Sequence, residues 1–390
     1  MSEPLIGDRV VVRYRLGADT PADWRGAPNP ATTSGPSLSD VTGVVVGDGA
    51  DRIRLDRDDT VVEIPRSAVT SIRVLSLRTV RNSEIRAVEY AAAHAWPGTE
   101  SQWIDGWLVR AGGGYTRRAN CAVPIDIGAR ADGPTLSAIT DWYRDRSLPP
   151  QLAWPDRLLP AAHLPGRIEQ PVQVLTAEIA QVTGGTSTAE VICEPAAGSE
   201  WLDVRLDPAT SPADHAMAAA VISSVRNGRL VFAGIRDDER LVAIGRGAIT
   251  PTAAGNPVLG VTALHTLSGH RGRGLGGQVL AALLGWGRDL GAGTAYLQVD
   301  AANRAAGAWY RRLGFGLHHQ YGYVRRYRQS GHPHCGPGQP VARQTAPTHC
   351  PPRCVARLPA HHCDHPRLAT VLQRRRGMYR RRRASPIAPR

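Results

Sequence analysis

The stretch SGHRGRGLGGQVLAAL, residues 268–283, is a glycine-rich turn followed by an apolar segment with helical periodicity. It comes directly after VLGVTALHTL, residues 258–267, whose composition predicts a β-strand. A strand that leads through such a turn into a helix leaves unpaired backbone N–H groups at the positive end of the helix dipole. This arrangement binds phosphate groups, and we expect Arg271 and Arg273 to add positive charge beside it.

Two classes of phosphate ligand fit the glycine spacing. Gly272, Gly274 and Gly277 satisfy the dinucleotide pattern G-x-G-x-x-G, and Asp300 ends the next predicted strand, where a ribose-binding acid would lie. Three features count against a dinucleotide fold. Polar residues separate the strand from the first glycine of this pattern, several elements precede the loop, and no second mononucleotide-binding half follows it.

The same stretch also contains the pattern R-x-x-G-x-G, formed by Arg271, Gly274 and Gly276. In this form it resembles the pyrophosphate loop of the GNAT superfamily of N-acetyltransferases. The resemblance extends over about residues 201–326 and includes the strand YLQV at 296–299 and the segment NRAAGAWYRRLGF at 303–315. Because these motifs occur as an ordered set, the chain is identified as a member of this superfamily.

The resemblance implies that the co-substrate is acetyl-CoA, whose pyrophosphate lies on the backbone N–H groups of the glycine turn. The pantetheine arm is expected to run beside the preceding strand and to bond to its backbone, as an added strand does. A backbone N–H near Leu264 would face the thioester oxygen and stabilise the charge that develops there. Asn303 would contact the pantetheine arm or cap the helix that follows. The expected binding residues are Leu264, His265, Thr266, Arg271, Gly272, Arg273, Gly274, Leu275, Gly276 and Asn303.

Tyr310 occupies the position that the superfamily uses for the general acid. A phenol keeps its proton at neutral pH and can give it to the departing thiolate. A tyrosine packed between helix and sheet is the structural alternative. A general base must also take a proton from the amine, and the candidates are His265, Glu200 and Asp203. For His265, which lies on the strand beside the expected thioester, a purely structural role is the alternative.

The chain as a whole predicts an α/β architecture in four parts. Residues 1–78 contain five short segments typical of a small all-β barrel, which resembles Tudor-like docking modules. A purely structural appendage is the equal alternative. Residues 81–190 resemble the degenerate first half of tandem GNAT proteins, and residues 194–328 form the catalytic half. The expected fold is therefore a GNAT fold with a mixed sheet (α+β), in tandem with a degenerate copy. Arg117 and Arg118 lie on a predicted hairpin of the degenerate part, where we expect solvated side chains rather than anion ligands.

Residues 329–390 form a segment of very different composition. They contain twelve arginines against the single acid Asp364, so that eleven of the thirteen net positive charges lie here. Frequent proline disfavours regular structure, which predicts a disordered basic tail. Such a tail is able to bind nucleic acid, and translation of a GC-rich gene in a shifted frame is an equal alternative. Cys350, Cys354 and the nearby histidines fit no closed zinc pattern, so we expect no metal.

These observations predict an N-acetyltransferase of the cytoplasm. Neither a signal peptide nor an apolar run of membrane-spanning length is evident, so no membrane partner is expected. The expected reaction moves an acetyl group from acetyl-CoA to a primary amine, on a small molecule or on a protein lysine, by direct attack in a ternary complex. The alternatives are a non-catalytic acyl-CoA sensor or scaffold, and a nucleic-acid-associated protein that acts through the barrel and the tail.

Overall fold

The structure is a computed structural model of the chain, and it describes residues 4–22, 37–76, 79–183 and 190–325. The chain divides into two compact units, Met1–Gly331 and His332–Arg390, and the second unit lies outside the described residues. The predictions made for the basic tail, including those on zinc and nucleic acid, therefore fall on residues outside the described part.

The N-terminal part is a five-stranded antiparallel sheet in the order β4-β3-β2-β1-β5. The strands are β1 (Arg9–Arg15), β2 (Leu38–Asp48), β3 (Arg52–Arg57), β4 (Thr60–Pro65) and β5 (Val69–Leu75). Val10, Val12 and Tyr14 are buried at alternate positions of β1, as expected of a sheet with one apolar face. The sequence predicts all five strands, and the docking role of this part stays a prediction.

The described residues 79–183, called the first half here, contain two helices and five strands. Helix α1 begins after Arg81, whose backbone N–H donates to the Glu84 carboxylate at 2.7 Å. Helix α2 begins after Asp132, whose carboxylate accepts from the N–H of Thr135 at 2.9 Å. The elements are α1 (Asn82–Ala95), β6 (Glu100–Ile104), β7 (Trp107–Ala111), β8 (Val123–Pro124), α2 (Gly133–Arg144), β9 (Gln151–Pro155) and β10 (Ile168–Glu178).

The described residues 190–325, called the second half, follow the predicted pattern more closely. Their elements are β11 (Ile192–Glu194), α3 (Ser199–Arg205), α4 (Pro212–Ile222), β12 (Arg229–Asp237), β13 (Arg240–Pro251), β14 (Pro257–Thr266), α5 (Leu275–Asp289), β15 (Thr294–Asp300), α6 (Arg304–Arg312) and β16 (Gly316–Arg325). Within the described ranges, none of the helices combines the length and apolarity needed to cross a bilayer.

One eight-stranded sheet joins the two halves. Its order is β11-β12-β13-β14-β15-β10-β16-β9, and only the pair β14 and β15 is parallel. Antiparallel hairpins therefore precede the glycine turn, whereas a dinucleotide-binding fold opens on parallel strands. The dinucleotide alternative is excluded, and the mixed α+β sheet expected from the sequence is confirmed.

The strands of the two halves are interlaced at the centre of this sheet. Strand β10 of the first half lies between β15 and β16, and Leu175 is paired with Leu297 on one side and with Leu317 on the other. Strand β16 of the second half in turn lies between β10 and β9. Each half also has a helix that connects two parallel segments. In the first half, α2 connects β8 to β9, and the parallel bridge joins Ala122, directly before β8, to Leu152 of β9. In the second half, α5 connects β14 to β15. The two halves thus repeat one plan, as the tandem prediction requires.

Helix α5 is held against the sheet by a stripe of buried side chains. Val279, Leu280, Leu283 and Leu284 are buried, and each contributes roughly 1.5–3 kcal/mol through removal of apolar surface from water. Gly245 on β13 permits the close approach, since a Cβ there would lie 2.7 Å from a methyl carbon of Val279. This packing fixes the position of the N-terminus of α5 relative to the end of β14.

Candidate active site

The glycine turn between β14 and α5 depends on two residues with left-handed backbone conformation. Gly272 has φ 77° and Gly274, which directly precedes α5, has φ 78°. A Cβ at either position would meet no neighbouring atom within 4 Å, so the requirement for glycine is conformational rather than steric. These two residues turn the chain from the strand into the helix.

The first turn of α5 presents backbone donors to solvent. The earliest hydrogen bonds of the helix are those from Gly277 and Gln278 to the Gly274 carbonyl, at 3.0 and 3.2 Å. Within the described residues, no group accepts from the N–H of Leu275 or Gly276. A Cβ on Gly276 would come no closer than 3.6 Å to Thr266, and one on Gly277 would meet nothing within 4 Å. Helical glycine costs about 1 kcal/mol relative to alanine, and packing does not require glycine here. Close approach of a phosphate stays the prediction for these positions.

The two arginines of the turn have different surroundings. Arg271 donates from Nε to the Thr266 carbonyl at 3.1 Å and so folds back onto the end of β14. Arg273 donates to Asp237 at 2.7 Å, and this hydrogen bond holds the pKa of the Asp237 carboxyl below its ordinary value. The charge of Arg273 is therefore shared with a carboxylate.

Strands β14 and β15 separate beside the glycine turn. Their pairing runs only from Val258 with Thr294 to Val261 with Leu297. From Thr262 onward β14 loses its partner on this side, while β15 continues to pair with β10 on its other side. The predicted pantetheine residues Leu264, His265 and Thr266 lie on this open edge, where backbone groups can pair with an extended ligand.

A β-bulge lies on the open edge of β14. The register with β13 changes between Arg246, opposite Thr262, and Ile244, opposite His265, so that two residues of β14 oppose Gly245. One of these, Ala263, has φ 53°, a conformation that is uncommon for a residue with a side chain. Bulges redirect backbone and side chains next to active sites. Ala263 packs in the core cluster that contains Trp96, whereas its neighbour Leu264 packs in the cluster that contains α5.

His265 is half-buried and lies within the electrostatic influence of two arginines. Burial lowers the pKa of His265 below its ordinary value of 6.5, and Arg271 and Arg205 lower it further. The imidazole is therefore neutral at pH 7 and able to accept a proton.

The other two base candidates from the sequence are on α3. Glu200 accepts from Arg236 at 2.9 Å and from the N–H of Leu241 at 2.9 Å. The Leu241 N–H, followed by Arg236, lowers the pKa of Glu200, which makes its carboxylate a poor base. Asp203 is exposed on the same helix. The neutral imidazole of His265 is compatible with a base, and its catalytic role stays a prediction.

The predicted general acid, Tyr310, is on α6, the helix that follows β15 in the chain. The predicted capping residue, Asn303, directly precedes this helix. Burial raises the pKa of Tyr310 to about 12, so the phenol keeps its proton at neutral pH. Its ring lies 4.8 Å from the ring of Trp309 and 6.0 Å from that of Phe315. Asn303 accepts from the N–H of Ala306 at 3.1 Å and so caps α6, one of its two predicted roles.

The N-terminal part of the chain supports the helix that carries Tyr310. Arg311 pairs through Nε with Asp8 at 2.6 Å and donates to Gln173 of β10 at 3.2 Å. A cavity of about 750 Å³ lies alongside, between residues 4–9 and α6, and none of the glycine-turn residues line it. This cavity is therefore separate from the candidate site.

A second cavity, of about 400 Å³, lies where β14 and β15 separate, and it is called the divergence cleft here. Both halves contribute to it. Its lining comprises Trp96, Thr116, Arg117, Arg118, Gln170, Val172, Arg205, Val261, Thr262, Ala263, Gln298, Asp300 and Tyr323. This cleft is not predicted by the sequence, because most of the first-half residues that line it match no motif.

Arg246 fixes one wall of the divergence cleft. Its guanidinium carbon lies 4.6 Å from the centre of the Trp96 ring, and it donates to the carbonyls of Ala95 at 2.9 Å and Ser224 at 2.7 Å. A further bond reaches the carbonyl of Ile222 at 2.7 Å. One buried side chain of the second half thus holds the end of α1 in place. Within the described ranges, no group of three or more His, Cys, Asp or Glu side chains is arranged to bind a metal ion.

A single parallel strand pair that separates beside a bulge, followed by a glycine-rich turn at a helix N-terminus, is the arrangement expected of the GNAT class of N-acetyltransferases. The family model "Probable histone acetyltransferase Rv0428c C-terminal" matches residues 82–324. The chain belongs to this family and is a GNAT-type acetyltransferase.

Two relatives in sequence agree with this assignment. The chain is 37% identical over 327 residues to "Probable histone acetyltransferase Rv0428c" of Mycobacterium tuberculosis, covering 83% of this chain and 96% of the relative. It is 27% identical over 247 residues to "Uncharacterized N-acetyltransferase YobR" of Bacillus subtilis, covering 60% of this chain and 94% of that relative. A solved GCN5-related N-acetyltransferase from Kribbella flavida is 19% identical with a TM-score of 0.43, covering 65% of this chain and 98% of that one. The assignment rests on the topology and the sequence relatives.

Proposed function

We propose that this acetyltransferase transfers the acetyl group of acetyl-CoA to a primary amine by direct attack of the amine in a ternary complex. The observation that carries the proposal is the bulge at Ala263 and Leu264. It lies between the phosphate-binding turn and the divergence cleft, so that a donor bound from one side of the sheet and an acceptor bound from the other would meet there.

The residues present fit acetyl-CoA as the co-substrate. The N–H groups of Leu275 and Gly276 and the charge of Arg271 would hold its pyrophosphate, and the open edge of β14 would hold its pantetheine arm. When bound, acetyl-CoA supplies an acetyl group activated as a thioester. The remaining chemistry belongs to side chains and backbone groups of this chain.

Three groups of the chain divide that chemistry. The backbone N–H at the bulge near Leu264 donates toward the oxygen on which negative charge develops. His265 takes the proton from the amine, directly or through water, since its lowered pKa keeps it in the neutral form. Tyr310 gives its proton to the departing thiolate, because burial keeps the phenol protonated.

The described cysteines support direct attack rather than a cysteine-bound acetyl group. Cys121 is buried, and burial raises the pKa of its thiol, which disfavours the nucleophilic thiolate. Cys193 is on β11 at the far edge of the eight-stranded sheet, three strands away from β14. Neither thiol lines the divergence cleft.

Release of free CoA thiol, measured across a panel of primary amines and lysine peptides, tests the proposal. We expect amine-dependent release of CoA thiol from the purified full-length chain. The double variant that carries both His265→Gln and Tyr310→Phe should release none. If acetyl-CoA binds normally while every amine leaves the release rate at the blank level, the non-catalytic sensor is the better description. The family relative named for histones makes protein lysine one acceptor class to include.

A further inference from the structure

The divergence cleft is unusually rich in positive charge for a site that accepts an amine. Among the described residues, three arginines line it, Arg117, Arg118 and Arg205, and the one lining carboxylate is Asp300. An amine is mostly protonated at neutral pH, so a site shaped only for a cationic acceptor would carry carboxylates instead. The excess of guanidinium groups indicates a second, negatively charged part of the acceptor.

Arg117 is already matched by neighbours. It donates to the Gln170 amide oxygen at 2.5 Å and to the Glu169 carboxylate at 3.4 Å. Its guanidinium carbon also lies 5.4 Å from the ring centre of Tyr323. Asp300 is likewise occupied in part, because one carboxylate oxygen accepts from the N–H of Ala302 at 2.8 Å.

Arg118 and Arg205 differ from Arg117 in a decisive way. The Nε atom of each is inaccessible to solvent and has no hydrogen-bond partner among the described residues, although the Arg118 side chain also hydrogen-bonds to Tyr321. A buried guanidinium N–H without an acceptor is unfavourable, and each such group in a native protein calls for an explanation, of which a bound ligand or water is one. The two residues come from different halves of the chain, and both face the same cleft. Contrary to the expectation from the sequence, Arg118 is not a solvated hairpin arginine.

The positions of these arginines relative to the bulge limit the acceptor further. Thr262 and Ala263 of the bulged strand line the same cleft, and Arg205 is close enough to His265 to lower its pKa. Guanidinium groups bind carboxylate and phosphate through paired hydrogen bonds. The acceptor nitrogen and the anion must therefore fit together within a cleft of about 400 Å³.

We infer that the acceptor is a small primary amine that also carries a carboxylate or phosphate group, and that Arg118 and Arg205 bind this anion. The inference rests on the proposed acetyl transfer and names its substrate class. Lysine-rich peptides and polyamines, which bring further positive charge, are then poor acceptors.

The test compares matched amines with the purified full-length chain and acetyl-CoA, using release of CoA thiol. Butylamine is paired with 4-aminobutyrate, and ethanolamine with O-phosphoethanolamine; spermidine and a lysine-rich peptide represent cationic acceptors. We expect kcat/KM at least tenfold higher for the anionic member of one pair. A higher kcat/KM within the butylamine pair indicates that the cleft binds carboxylate, and a higher kcat/KM within the ethanolamine pair indicates that it binds phosphate.

Variants locate the anion site. Arg118→Gln and Arg205→Gln are expected to raise KM for the anionic acceptor at least tenfold more than KM for the neutral acceptor, with Arg288→Gln on the exposed end of α5 as the matched control. Thermal unfolding shows whether each variant is folded. The comparison of amines with the unmodified chain remains decisive even if a variant does not fold.

Each outcome separates the two proposals. Equal or better turnover of neutral or cationic amines overturns the anion inference and leaves acetyl transfer standing. If no amine is turned over, acetyl transfer fails, and binding decides the inference instead. A thermal shift caused by 4-aminobutyrate or O-phosphoethanolamine that Arg118→Gln abolishes supports the anion site, and absence of any shift refutes it.

Discussion

Gly276→Glu separates ligand binding from folding at the glycine turn. A Cβ at Gly276 makes only an ordinary contact, 3.6 Å from Thr266, so the substitution fits the fold. Replacing a helical glycine gains up to about 1 kcal/mol, and a carboxylate in the first turn gains roughly 0.3–1 kcal/mol from the helix dipole. The variant is therefore expected to be at least as stable as the original chain.

The same carboxylate opposes the pyrophosphate. At a separation of about 4 Å and an effective dielectric constant of about 20, one pair of like charges costs about 4 kcal/mol. Screening at this exposed turn reduces the cost, and we expect about 3 kcal/mol, which is a Kd for CoA raised roughly 100-fold. Isothermal titration calorimetry with CoA at two salt concentrations measures it, and the effect should be smaller at high salt.

Gly285→Glu is the matched control, because Gly285 is on the same helix and a Cβ there would meet nothing closer than Arg288 at 4.0 Å. It should leave CoA affinity within about twofold of the original chain, since it is about 13 Å further along the helix axis. An unchanged affinity in Gly276→Glu, or an equal loss in both variants, would refute the phosphate site at the helix N-terminus.

Three further predictions concern the side chains around the bulge. Because burial and two arginines lower the pKa of His265, kcat at saturating substrates should stay level down to about pH 6.5 and fall only in more acid solution, where the imidazole gains a proton; a pH profile with its midpoint above 6.5 would contradict this. Tyr310→Phe should lower kcat about 100-fold with KM nearly constant in steady-state kinetics, and an unchanged kcat would remove the residue from the acid role. Arg246→Met leaves three carbonyls without their donor, which should cost about 3–5 kcal/mol and lower Tm by about 10 °C in thermal unfolding; a decrease of less than about 2 °C would show that the wall of the cleft does not depend on this side chain.

Local sequence patterns were sufficient for much of the fold. Alternating β-branched residues predict β1 to β5 and the strands around the glycine turn, because one-sided burial of a strand leaves a period of two. The turn itself is equally local, since the left-handed backbone at Gly272 and Gly274 requires residues without a side chain. Asn303 caps α6 at the position that a capping residue at the start of a helix predicts.

Features that depend on distant parts of the chain left no such signal. Strand β10 contains Pro171 and pairs with strands more than 100 residues later, so its place at the sheet centre is not encoded in its own pattern. The bulge at Ala263 is hidden because alanine is not a residue type associated with positive φ. Arg118 and Arg205 meet in one cleft only after the two halves pack, and sequence spacing gives no measure of that burial.

The interlaced sheet has a consequence for how the protein is made. Glu178 ends β10 and Thr294 begins β15, 116 positions later. At roughly 5–20 residues per second, a ribosome needs on the order of ten seconds to supply that partner strand. Until then the nascent chain holds an apolar strand with both edges open to other chains. A premature stop codon ahead of β15 would leave those edges permanently unpaired, so truncated products should precipitate rather than accumulate as a folded first half.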